Sequence, residues 1–259
     1  MGFLTEAVEG VRADLRAHPL SPRPFDPSAR PRDLERALSG PGVAVIAEVK
    51  RASPSAGAIA DHADAAAQAA RYAAGGAAAL SVLTERAHFG GSLQDLVAAR
   101  AATDLPILRK DFIVDASQIV EARSAGADAV LLIAAALDRG ELVDLFAAAR
   151  DLGLAALVET HSAAEVELAL GAGARIVGVN SRDLETLAVH LDRALDLIRT
   201  VPAEVVRVLE SGVSTRADVE RASAAGADAV LVGEALMRAA DPAAKLRELR
   251  GDAAEVRSR

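Results

Sequence analysis

The sequence predicts a (β/α)8 barrel, and three observations carry that expectation. From residue 43 onward, eight short apolar runs alternate with Ala-rich amphipathic stretches. Their starts fall roughly 25 residues apart, the length of one βα unit. A Gly-Ala design recurs once per two units: GGAAALSV at 75–82, GADAVLLI at 126–133, GARIVGVN at 173–180 and GADAVLVG at 226–233. Four copies across eight strands suit a closed barrel, because alternate strands supply alternate layers of its core. An open doubly wound sheet is the alternative. It would need a G-x-G-x-x-G turn after the first strand, and AEVKRASPSAG is not one.

The elements follow in order. Residues 3–17 read as a charged amphipathic helix, α1. Five of the ten prolines then fall between Pro19 and Pro31. Proline fixes φ and removes a donor, so this stretch is an irregular connector. Residues 32–38 add a further helical turn or two, α2. The strands are β1 (43–49), β2 (78–83), β3 (106–110), β4 (129–133), β5 (154–159), β6 (175–180), β7 (204–210) and β8 (229–233). Runs of this length with β-branched residues, each followed by a helical pattern, are what a parallel sheet requires. Glycine at the head of each repeat suits the left-handed end of a helix directly before the next strand. The chain reads as one domain over 1–259, with 1–42 as helical extension and connector and 43–250 as barrel.

Composition narrows the function. Hydrophobic residues make up 51% and aromatics only 2%, so the core is built from Ala, Leu, Val and Ile. The formal charge of −8 argues against nucleic acid as a partner, since that needs a positive field. No run of eighteen uncharged apolar residues occurs, so no membrane partner is expected. The N-terminal stretch is charged and does not read as a signal peptide, which points to the cytoplasm. With no Cys, thiolate catalysis and Cys-bound metals are excluded, and no metal is expected. All five His read as solvated.

In a (β/α)8 barrel the active site lies at the C-terminal ends of the strands. Here those ends carry Glu48 and Lys50 (β1), Lys110 (β3), Glu159 (β5), Asn180 (β6), Glu210 (β7) and Gly233 (β8). A single such charge could face solvent. Five on alternate strands at one end are harder to explain that way, because an interior charge costs several kcal/mol unless paired. Glu48 and Lys50 share an orientation, since side chains repeat every two residues along a strand. Arg109 should therefore point away from Lys110. Two lysines and three glutamates suit proton transfer on an organic substrate. Asn180 can also be read as an Asx-turn residue.

An anion needs its own contacts on so acidic a chain. The loops after β7 (SGVS, 211–214) and β8 (GEALMR, 233–238) stand where barrels bind phosphate. Ser211, Gly212 and Gly233 can bring backbone N–H groups close to an anion, and a helix starting near Glu234 would add its positive end. The Glu234 carboxylate must then point away. The loop RASPSAG (51–57) reads as a mobile segment able to close over ligand.

Several long motifs carry a family resemblance. AEVKRASPSAG, LSVLTERAHFGGS, ILRKDFIVDASQI, ALVETHS, GVNSRDLETL and LESGVST resemble, in order and spacing, the indole-3-glycerol-phosphate synthases. The helix and Pro-rich N-terminus resemble the segment that this family places over the barrel mouth. The resemblance implies a phosphorylated small-molecule substrate, 1-(2-carboxyphenylamino)-1-deoxyribulose 5-phosphate. It implies ring closure, loss of CO2 and loss of water without any cofactor. It implies that Lys110 is the general acid and Glu159 the acid/base of the dehydration. Lys50 would hold the carboxylate or phosphate and share proton transfer. Glu48 and Glu210 would set the charge of the lysines, and Asn180 would orient the carboxylate or sugar hydroxyls. Ser53, Ser211, Gly212, Gly233 and, through its backbone, Glu234 would hold the phosphate. Phe89, Phe112, Leu131 and Leu184 would grip the aromatic ring.

Two alternatives remain at this point. A phosphoribosylanthranilate isomerase would favour a Cys–Asp pair, and this chain has no Cys. A barrel that only binds a phosphorylated metabolite would not need Lys110 together with Glu159. A monomer is expected, with a weak homodimer as the alternative.

Overall fold

The computed structural model describes residues 2–21, 24–26, 28–60 and 63–252. Of the expectations above, Pro22 and Pro27 in the connector, His62 and the last seven positions of the chain lie outside these residues. The eight strands close into a parallel barrel in the order β1-β8-β7-β6-β5-β4-β3-β2. They span Ala44–Val49, Ala79–Leu83, Ile107–Lys110, Ala129–Ile133, Ala155–Thr160, Ile176–Asn180, Val206–Glu210 and Ala229–Val232. Each lies within one or two residues of its predicted bounds. Helix α1 is Phe3–Ala17 and α2 is Leu34–Leu38.

Local chemistry sets where the helices begin. Asp64, Ser92, Asp115, Asp138, Ser162, Thr215 and Asp241 each accept a hydrogen bond from a first-turn N–H of the helix that follows. These caps satisfy donors that a helix start leaves without partners. At Asp115, Asp138 and Thr215 the third helical residue reaches back to complete a capping box. The glycines of the repeat close the preceding helices. Gly126 and Gly226 sit at φ 92° and 94°, a conformation that an L side chain rarely adopts.

The repeat has a second purpose at the N-terminal face of the barrel. Asp128 Oδ2 accepts from Ile107 N at 2.8 Å, and Asp228 Oδ2 accepts from Arg207 N at 2.8 Å. Each Asp thus holds the start of the neighbouring strand. Asp128 also accepts from Arg100 Nη1 and from Arg32 N, which ties the connector to the barrel floor.

The core is aliphatic, as composition requires. Leu4, Ala7 and Val8 of α1 belong to the same cluster of buried residues as the strands. The sole Tyr, Tyr72, is fully buried, and its hydroxyl donates to the Glu48 carbonyl at 3.1 Å.

One pairing was not expected. The segment 51–57 begins a small hairpin in which Ala52–Ser53 pairs antiparallel with Gly57–Ala58. Arg51 anchors it through both oxygens of Asp95 on the next helix but one. Backbone pairing across so short a segment has no hydrophobic period to announce it.

Candidate active site

At the C-terminal mouth, odd-numbered strands deliver charge and even-numbered strands deliver a frame. Glu48, Lys110, Glu159 and Glu210 come from β1, β3, β5 and β7. The three carboxylates are at most 2% exposed. Lys110 Nζ donates to Glu159 Oε2 and to Glu210 Oε2, both at 2.9 Å. Lys50 Nζ lies 2.8 Å from Glu48 Oε1, as their shared orientation predicts. From β6, Asn180 Nδ2 donates to Glu159 Oε1 at 2.9 Å, while Asn180 Oδ1 accepts from Arg182 N. The Asx turn and the polar-cluster position expected as alternatives are both present.

Two glycines make room for this cluster. A Cβ at Gly178 would lie 2.1 Å from Glu210 Oε1, and one at Gly233 would lie 2.5 Å from Glu48 Oε1. The carboxylates occupy space that any other residue would fill.

Burial acts against the Lys110 ammonium, but the charges of Glu159, Glu210 and Glu48 outweigh it and raise its pKa above the usual lysine range. For Glu159, burial raises the pKa. Lys110, His161 and the Asn180 hydrogen bond overcome that, and the net shift is downward. For Glu210, burial dominates, and with the repulsion of Glu159 it exceeds the help from Lys110; the shift is upward. The cluster therefore favours the charged form of Lys110 and of Glu159, while burial opposes ionisation of Glu210.

A cavity of about 440 Å3 opens above this floor. All fifteen residues singled out in the sequence line it. Phe89, Phe112, Leu131 and Leu184 form apolar wall. Ser53, Ser211, Gly212, Gly233 and Glu234 stand at the rim. Ser211 and Gly212 both have left-handed backbones, with φ 65° and 74°. The helix after β8, Glu234–Met237, has no side-chain cap. The Glu234 carboxylate pairs with Arg238 Nε at 2.9 Å in a part-exposed position, so its charge is answered beside the rim. Arg109 points outward, as expected, and pairs with Asp111 and Glu121.

Sequence reasoning missed several lining residues. Phe3 of α1 packs edge-on against His88 at 5.1 Å and near Phe112 at 6.3 Å. No local signal could place it there, because the contact spans most of a hundred residues. Glu85 organises the loop after β2 by accepting from the backbone N–H groups of Ala87, His88 and Phe89. Arg182 lines the mouth two residues after Asn180, a spacing that could have revealed it.

The histidines need correction. His18 and His190 are exposed. His88 is only 31% exposed at its side chain, under the Phe3 ring. His161 is 18% exposed, 3.5 Å from Glu159 Oε1 and 3.4 Å from Glu165 Oε2. It follows Glu159 by two residues, and that period brings its ring back to the same cluster.

Fold and mouth together define the class, a (β/α)8-barrel enzyme with an acid–base cluster at the C-terminal ends of its strands. A family model described as indole-3-glycerol phosphate synthase matches residues 11–249. The chain is 52% identical to an indole-3-glycerol phosphate synthase of a Nocardioides species, over 97% of this chain and 99% of that one. It is 50% identical to the Micrococcus luteus protein of the same name, over 99% and 100%. The chain belongs to the indole-3-glycerol phosphate synthase family. Among solved structures it resembles a 3-hexulose-6-phosphate synthase, with TM-score 0.65, 20% identity and coverage of 81% and 99%. It also resembles a thiamine phosphate pyrophosphorylase from Pyrococcus furiosus, with TM-score 0.62, 18% identity and coverage of 85% and 96%. These two likenesses concern the fold alone.

Proposed function

We propose that the chain converts 1-(2-carboxyphenylamino)-1-deoxyribulose 5-phosphate to indole-3-glycerol phosphate, with loss of CO2 and water. One observation carries the reading: an ammonium is gripped by two buried carboxylates on the floor of a pocket with an apolar wall. Phe89, Phe112, Leu131 and Leu184 receive the aromatic ring, burying apolar surface on both sides. The phosphate lies against the backbone of Ser211, Gly212, Gly233 and Glu234, with the Ser53 hydroxyl near. Lys50 meets the ring carboxylate, and Asn180 orients it or the sugar hydroxyls.

Lys110 then donates a proton to the carbonyl oxygen as the ring carbon attacks the carbonyl carbon. The ring's own electrons accept the charge released when CO2 departs. Lys110 donates again as the hydroxyl leaves as water, and Glu159 takes the proton from the carbon beside nitrogen. Glu48 and Glu210 keep the two lysines charged. Binding of phosphate at the rim is part of this proposal.

We also read the protein as a cytoplasmic monomer of one domain. Among the described residues no helix is long and apolar enough to cross a membrane. The test is turnover: purified protein mixed with the substrate should generate indole fluorescence. A barrel that binds the substrate and leaves it unchanged would defeat the proposal.

A further inference from the structure

A second cavity of about 190 Å3 lies behind the mouth, where α1, the end of β6 and the helix Leu191–Ile198 meet. His161 and Glu165 line it, and Asn180 borders both cavities. The His161 ring lies between the two carboxylates, with Nε2 3.5 Å from Glu159 Oε1 and Nδ1 3.4 Å from Glu165 Oε2. Glu165 is fixed in turn: its Oε2 accepts from His161 N at 2.8 Å and its Oε1 from Ser162 Oγ at 2.9 Å. Exposure rises along the line, from 2% at Glu159 to 18% at His161 and 22% at Glu165.

The proposed reaction needs such a line. With the ring carboxylate ionised, one proton goes onto the carbonyl oxygen and one onto the departing hydroxyl. One returns from the carbon beside nitrogen. Each turnover therefore consumes one proton from solvent. Lys110 can recover the returned proton from Glu159, which it already touches. The other must cross from water while substrate fills the mouth. Glu210 offers no route, because it is 1% exposed and its Oε1 has no hydrogen-bond partner among the described residues.

We propose that His161, with Glu165, relays a proton from the rear cavity through Glu159 to Lys110, so that the cluster recharges while substrate covers the mouth. This rests on the reaction assigned above. The transfer moves a proton from His161 Nε2 to Glu159 Oε1, and a second proton reaches Nδ1 from Glu165 or water. Among the described residues Nε2 has no hydrogen-bond partner, and its distance to Glu159 is roughly half an ångström beyond an ordinary hydrogen bond. A small ring rotation closes it. The charged groups facing the ring are Glu159 on β5, Glu165 on the following helix and Glu210 on β7. Asp183, Glu185, His190 and Arg193 also line the cavity, and α1 contributes Leu4. Burial lowers the imidazole's basicity, but the three carboxylates outweigh it and the net shift is upward. His161 is therefore a proton carrier on the route to the catalytic groups and does not touch substrate.

The test compares kcat of the full chain and of His161→Gln as the concentration of a small imidazole buffer is raised at constant ionic strength. The expected result is a kcat independent of buffer in the unaltered protein. In the variant, kcat falls by roughly tenfold or more in dilute buffer, recovers as buffer rises, and leaves KM nearly constant. Glu165→Gln keeps the ring in place and should show the same response more weakly, which covers the case of a misfolded His161 variant. An unchanged kcat, or a loss that buffer does not restore in either variant, overturns the relay. If the unaltered protein makes no indole product, the assigned reaction fails and the relay fails with it.

Discussion

Glu159 and Glu210 hold the same Lys110 ammonium at the same distance, 2.9 Å, yet their carboxyl groups shift in opposite directions. The difference lies in their other oxygens. Glu159 Oε1 accepts from Asn180 and faces His161. Glu210 Oε1 has no donor among the described residues and abuts the space left open at Gly178.

That asymmetry has a stability consequence. The ionised form of Glu210 costs native stability above the ordinary carboxylate pKa, and the cost fades as pH falls through its raised value. The ionised form of Glu159 contributes stability above the ordinary pKa, lost as pH falls through its lowered value. Glu210→Gln should therefore raise Tm at about pH 8, by about 2–4 °C per kcal/mol recovered, with a smaller gain at about pH 5. Glu159→Gln should lower Tm at about pH 8, because it removes the partner of three groups. Thermal melts at both pH values check the two signs.

For the chemistry, Lys110→Ala should lower kcat by about 10²-fold or more while substrate binding stays measurable. Glu159→Gln should let the undehydrated ring-closed intermediate accumulate, visible in rapid-quench time courses. Full kcat in the lysine variant would remove Lys110 from the mechanism.

Gly178→Ala tests whether space, and not only charge, builds the site. Its methyl would collide with Glu210 Oε1 and come within 2.9 Å of the Leu157 side chain. Displacing Glu210 should cost about 1–3 kcal/mol of stability. It should also cost up to about 10²-fold in kcat through misplacement of Lys110. Denaturation and steady-state kinetics on one preparation measure both.

The opposite face should separate stability from activity. Asp128 is 3% exposed at its side chain and answers Arg100, whereas Asp228 is 33% exposed beside Arg207. Asp128→Ala should cost about 3–5 kcal/mol, since it removes the charge partner of the part-buried Arg100 and the acceptor of the Arg32 and Ile107 backbone N–H groups. Asp228→Ala should cost only about 1–2 kcal/mol. Neither should change kcat below the unfolding temperature, and a large fall in kcat for Asp228→Ala would contradict this division of the barrel.

The sequence by itself determined the strands, their order and the charges at their ends. Those features repeat along the chain with periods of two residues and of one βα unit, so they are local. The same locality made Glu48 with Lys50, and Arg109 against Lys110, readable from alternation. Only the tertiary structure decided what lies across the barrel. It set Lys110 between carboxylates from β5 and β7, brought Phe3 over the mouth and drew His161 out of solvent. The physical reason is closure. Curling the sheet converts positions far apart in sequence into neighbours within hydrogen-bond reach, and the pKa values then depend on burial and on distances that no window of sequence contains.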